Sequence, residues 1–121
     1  TVLTPSNKKS NVLLKNNLIV EGNIIIPSDE RIKENIVELS TDTSRDILKL
    51  TPVSFSYTTD ENKKPHFGFL AQDVERIYPE LVIDISPEYK AVNYMELIPL
   101  MIDKMKTMQN EIDKLKQLLN K

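Results

Sequence analysis

Peptide-bond chemistry by protein side chains needs a nucleophile, a base to take its proton and donors for the tetrahedral oxyanion. In 121 residues this chain has no cysteine and one histidine, so the choices are few. The stretch Pro27-Ser28-Asp29-Glu30-Arg31-Ile32-Lys33-Glu34-Asn35-Ile36 marks a change of character, from short β-prone runs to a mixed region that ends in a heptad helix. Its local reading is a helix start: Pro27 disfavours helix at the residue before it, and Ser28 or Asp29 can cap a helix beginning near Arg31. A boundary with chemistry on it is the sharper reading. His66 is the candidate for a Ser-His-Asp triad, but nothing in the sequence places it near Ser28, and a lone histidine leading a strand reads as structural. There is no Gly-x-x-x-x-Gly-Lys, no Gly-x-Gly-x-x-Gly and no His/Cys cluster, so no cofactor and no metal is implied. The Asp and Glu residues are scattered as on a solvated surface.

The elements that must position these groups follow from periodicity. Residues 1 to 10, with turn residues Pro5 and Asn7, are polar and irregular and read as poorly ordered. Val12-Leu13-Leu14, Leu18-Ile19-Val20 and Ile24-Ile25-Ile26 are apolar runs separated by turn chemistry, and each predicts a short strand. Such short strands bury little alone, so they would be stabilised by copies in other chains or a β-fibre shaft above them, or else pack as a small meander on the chain's own core. Glu30 to Leu39 predicts a short helix with Ile32, Ile36 and Leu39 on one face. Thr43-Ser44-Arg45-Asp46 has the form of a capping box ahead of a second short helix carrying Ile47, Leu48 and Leu50 and stopped by Pro52. Val53 to Thr58 alternates with period two and predicts a hairpin with His66 to Leu70, its arms roughly six residues long. Gly68, one of two glycines, suggests either a close backbone approach, to another subunit or the nucleophile's loop, or a bulge. Ala71 to Tyr78 predicts a helix ended by Pro79, with Gln72 in its first turn. Leu81 to Ile85 and Ala91 to Tyr94 are two further strands around Ser86-Pro87-Glu88.

The C-terminal stretch has the cleanest period. Ile98, Met101, Met105, Met108, Ile112, Leu115 and Leu119 are spaced alternately three and four residues apart, which is a heptad seam and predicts self-association. Its methionines make a soft interface that discriminates poorly between two and three strands. A net charge of −2 with both signs intermixed gives no electrostatic case for nucleic acid or an anionic membrane. No apolar run reaches membrane-span length and no secretory pattern opens the sequence, which reads as a soluble piece of a longer chain. The expected class is α+β: short strands at the N-terminus, a small mixed core, and a long coiled-coil helix. The expected division is 1–27, 28–93 and 94–121.

Three ordered blocks carry a family resemblance. Ser28 to Ile36 resembles the Ser-Asp-x-Arg-(Leu/Ile)-Lys-x-Asn-Ile opening of the peptidase S74 family, the C-terminal intramolecular chaperones of phage tailspikes, tail fibres, neck appendages and endosialidases. Gly68-Phe69-Leu70-Ala71-Gln72-Asp73-Val74 followed by Pro79-Glu80 is similar to the family's second block. Val92-Asn93-Tyr94 with Leu97, Pro99 and Leu100, ahead of the heptad, is similar to the third. The same domain occurs in some membrane-bound eukaryotic transcription factors, but the Lys/Asn-rich composition and strand-rich tail suit a virus better.

The resemblance implies an intertwined homotrimer and a Ser28–Lys33 dyad that cuts the chain once, with Arg31, Gly68 and Gln72 in support. Five residues correspond to about 140° of helical rotation, so the two could not share a face of one helix. Ser28 must therefore sit in an extended turn with Lys33 curling back. A lysine base must be neutral, which calls for burial or a nearby positive charge such as Arg31. Cleavage is expected first at Ser28-Asp29 and second at Pro27-Ser28, in cis or between subunits. The implied partners are copies of the chain and its own upstream fibre, without nucleic acid or membrane, in the host cytoplasm during virion assembly; the chaperone is then released and the fibre stays on the virion. The competing reading is a permanent trimerisation cap in which Ser28 is only a helix start.

Overall fold

The computed structural model describes residues 11–121, and the chain divides into two units, residues 1–36 and 37–121. The irregular opening marked by Pro5 and Asn7 lies outside the described residues.

In the first unit, residues 11–29 form no strand, and the apolar side chains of the three runs stand 41% to 87% exposed. The three strands expected there are therefore corrected. Extended backbone becomes a strand only when its N–H and C=O groups find a partner, and these three-residue runs find no partner strand among the described residues. The helix expected from Glu30 to Leu39 is likewise corrected to a single 3-10 turn, Glu30–Ile32. Lys33 is already extended (φ −114°, ψ 154°), and Asn35 adopts a left-handed φ of 55°, a conformation asparagine tolerates better than most residues. With Ile32, Ile36 and Leu39 all exposed, no apolar surface rewards further helix.

The second unit starts with α1 (Thr41–Ser44), capped by Ser40, whose Oγ accepts from the Thr43 N–H at 3.3 Å. The cap thus lies three residues before the Thr43 box expected from sequence. Asp46 makes no cap bond and instead pairs with Lys49 and Arg45, so the second helix shrinks to a 3-10 turn, Ile47–Lys49, that buries Ile47 and leaves Leu48 exposed. Strands β1 (Val53–Phe55) and β2 (His66–Gly68) pair antiparallel with Val53 opposite Gly68 and Phe55 opposite His66. The hairpin is the expected one, but its paired arms are three residues long rather than six. Helix α2 (Ala71–Ile77) leads through the turn Pro79–Leu81 into β3 (Val82–Asp84), which pairs antiparallel with β4 (Lys90–Val92). The turn Tyr94–Glu96 then opens α3 (Leu97–Leu119). The described residues are thus mixed α/β with two small antiparallel sheets and a long C-terminal helix.

The core is small: Ile47, Leu50, Val74, Tyr78, Leu81, Leu97 and Leu100, flanked by Phe69, Ile77, Val82 and Val92. Polar ties close it. The fully buried Ser44 hydroxyl donates to Asp103 Oδ2 at 2.6 Å, fixing α1 to α3, and the Tyr78 hydroxyl donates to the Thr43 carbonyl at 2.8 Å. Helix α3 has 23 residues, about 34 Å at 1.5 Å per residue, yet its buried residues are Leu97 and Leu100 in its first turn. The heptad positions Ile98 through Leu119 stand 43% to 84% exposed. Among the described residues no helix is long and apolar enough to cross a membrane.

Candidate functional site

Ser28 and Lys33 meet. The Lys33 amine donates to Ser28 Oγ at 2.6 Å, across five positions of sequence. The route is the one the spacing demands, because Ser28 precedes the 3-10 turn and Lys33 follows it in extended conformation. Two backbone bonds close the turn: the Ile32 N–H donates to the Asp29 carbonyl and the Lys33 N–H to the Glu30 carbonyl, both at 3.1 Å. With three residues per 3-10 turn, the chain reverses tightly enough to return a lysine side chain to the serine.

Asp29 caps this turn. Its Oδ1 accepts from the Arg31 backbone N–H at 2.9 Å and from Arg31 Nε at 3.0 Å, while Oδ2 accepts from Arg31 Nη2 at 2.8 Å. This guanidinium fork, with the Arg31 backbone bond behind it, holds the Asp29 carboxyl below its ordinary range, and Asp29 in turn raises Arg31. The supporting role expected of Arg31, a positive charge beside Lys33, is therefore met by a carboxylate that compensates it. Ser28 and Lys33 are both exposed to solvent in the single chain.

Gly68 and Gln72 belong to the second unit. The close approach at Gly68 is made by Tyr94 of the third sequence block, a contact the sequence did not signal: a Cβ at Gly68 would lie 2.6 Å from the Tyr94 hydroxyl and 3.3 Å from Phe55 Cε1. That hydroxyl accepts from the Phe69 N–H at 3.0 Å, and the Phe69 and Tyr94 rings stack at 6.1 Å. The glycine thus seats a tyrosine of its own chain, and the β1–β2 register through it is continuous. Gln72 is exposed on the first turn of α2. His66 stacks on Phe55 at 5.7 Å and meets Tyr57 edge-on at 5.0 Å, a packing role. The second missed feature is the Asp29–Arg31 pair, and its signal was present in the Asp-x-Arg spacing across a cap.

The comparisons can be set against this geometry. A family model described as the chaperone of endosialidase, peptidase S74, matches residues 28–83, beginning at the serine of the Ser28–Lys33 contact. Residues 28–83 thus resemble a peptidase S74 chaperone segment. The S74 segment holds the first two sequence blocks, while Val92-Asn93-Tyr94 and α3 lie beyond it. The chain is 33% identical over 78 residues to Myelin regulatory factor homolog 1 of Caenorhabditis elegans, covering 57% of this chain and 8% of that protein. It is 39% identical over 62 residues to the uncharacterized protein VP1 of Micromonas pusilla reovirus (isolate Netherlands/2005), covering 49% of this chain and 3% of that protein. The chain thus spans under a tenth of either relative. The S74 match supports a chaperone role.

Proposed function

We propose that this chain is an intramolecular chaperone that assembles as a homotrimer, templates an upstream β-fibre of the same polypeptide, and then severs itself from that fibre at Ser28. The observation that carries the reading is the 2.6 Å contact between Lys33 Nζ and Ser28 Oγ at the first residue of the S74 segment. With a neutral amine the same contact reverses: Lys33 accepts the hydroxyl proton as Ser28 Oγ attacks a carbonyl carbon. The tetrahedral intermediate collapses with loss of the peptide amine, which takes the proton back from Lys33, and water hydrolyses the remaining ester. Attack on the Pro27 carbonyl closes a five-membered ring and breaks Pro27-Ser28. Breaking Ser28-Asp29, the first choice, suits the serine of a neighbouring subunit, since attack on its own carbonyl needs a four-membered ring.

The exposed seam of α3 supports self-association, its order of three taken from the S74 resemblance, and the exposed apolar runs before Pro27 suit a segment that pairs with other copies at the foot of a fibre. Release has a kinetic purpose: non-local β structure folds slowly, and a template that departs leaves a product with a high unfolding barrier. A phage appendage made in the host cytoplasm fits this use. The permanent trimerisation cap is the second reading, and the solvent exposure of both dyad residues in the single chain favours it.

The deciding experiment is intact mass of a longer chain that carries upstream fibre sequence, beside Ser28→Ala and Lys33→Ala. Cleavage in the wild type with both variants whole supports the dyad, and the fragment masses fix the bond. A whole wild type that forms trimers makes the domain a cap.

A further inference from the structure

We propose that Asp29 and Arg31 are positioning residues for the Ser28–Lys33 pair: the carboxylate caps the turn that returns Lys33 to Ser28, and each member of the pair keeps the other's charge off the Lys33 amine. The inference rests on the self-cleavage reading for its rate measurement, though not for its second measurement.

One carboxylate takes three hydrogen bonds from the residue two places on, one from backbone and two from the guanidinium fork. The backbone bond defines where the turn begins. The fork adds a planar, two-point match that a lysine at position 31 could not make. Since Lys33 leaves the turn directly, any loosening at Asp29 moves its amine relative to Ser28 Oγ. The charges matter separately. The charged residues of the described part of this unit besides Lys33 are Lys15, Glu21, Asp29, Glu30, Arg31 and Glu34. Asp29 and Arg31 compensate each other, so removing either leaves an uncompensated charge of known sign beside the dyad. The Arg31 fork lowers the Asp29 carboxyl, which favours the ionised form of the pair.

The test compares cleavage rate against pH for wild type, Asp29→Ala, Arg31→Met and the double variant Asp29→Asn/Arg31→Met. In parallel, Lys33 is titrated through its side-chain carbon signal in whole chains carrying Ser28→Ala. Asp29→Ala frees a cation, so the acid limb of the rate profile moves down by about half a pH unit. It also loses the cap, and the plateau rate falls about tenfold. Arg31→Met frees the carboxylate but keeps the cap, so the limb moves up by about half a unit with a plateau within about threefold of wild type. The double variant keeps an acceptor at position 29 and carries neither charge, so its limb returns to the wild-type position. The lysine titration follows the same three directions. Movement of both single variants in one direction, or of neither, overturns the proposal. If no chain is cut, the self-cleavage reading falls while the titration still decides whether the pair governs Lys33.

Discussion

At Gly68 the backbone lies so close to the Tyr94 hydroxyl that a single added carbon would sit 2.6 Å from it. The neighbouring Phe69 N–H is bound by the same hydroxyl, so the tyrosine cannot retreat without losing that bond. Gly68→Ala is expected to destabilise the second unit by about 1–3 kcal/mol, as overpacking at a rigid contact does. Tyr94→Phe removes the obstructing oxygen, so the double variant should lose less than the sum of the two singles in urea unfolding at fixed protein concentration. Additive losses would mean that the alanine is resisted by something other than the hydroxyl. Sequence alone signalled a close approach at Gly68 but not its source, because Tyr94 is 26 positions away and only the fold brings them together.

Elements whose signals were local could be read directly. Helices α2 and α3 carry their period and their stops locally and form where expected, while the β3–β4 pair forms with shorter strands than expected, Tyr94 falling in the following 3-10 turn rather than in a strand. Those that failed were underdetermined by local pattern: the runs at 12–14, 18–20 and 24–26 lack a partner strand among the described residues, and the apolar face of Glu30 to Leu39 stays exposed. The Ser28–Lys33 pairing was implied by the family resemblance, and the five-residue spacing, incompatible with one helix face, gave only its route through a turn, whereas the Asp29–Arg31 fork, a side-chain event inside the turn, was not anticipated. A pH prediction belongs to the β3–β4 pair. Lys90 on β4 reaches Asp84 at 2.9 Å and Glu75 on α2 at 3.0 Å, which hold its amine above the ordinary value of 10.5, the Asp84 bond chiefly and the Glu75 bond next. A lysine raised in the folded state contributes stability that is complete below its unfolded value and lost as pH rises toward the folded one. Tyr78, raised from 10.0 by burial first and then by the Asp46 and Glu80 charges, acts in the same sense. The thermal midpoint should therefore fall on the alkaline side above about pH 10. Lys90→Met should start lower and fall less steeply there, leaving only the tyrosine's share. An equal slope in both proteins would remove Lys90 from the account.

At the scale of the whole molecule, α3 has two uses. Leu97 and Leu100 belong to the core, while Ile98, Met101, Met105, Met108, Ile112, Leu115 and Leu119 form an apolar line on the open side. Ile112→Asp places a charge on that line far from the core contacts. If the seam holds the proposed trimer together, sedimentation should then show a shift from trimer to monomer, with the far-ultraviolet signal of the second unit retained apart from the free end of α3. A trimer that survives the substitution would place its interface elsewhere. The self-cleavage reading adds a consequence for timing. Serine and lysine find each other within six consecutive residues, through a turn closed by its own backbone, so their meeting requires no assembled neighbour. Proximity therefore cannot be the safety catch that keeps a newly made chain from discarding its chaperone too soon. On the proposed trimer, the catch is the water around the pair, and its release the arrival of the other copies that exclude it.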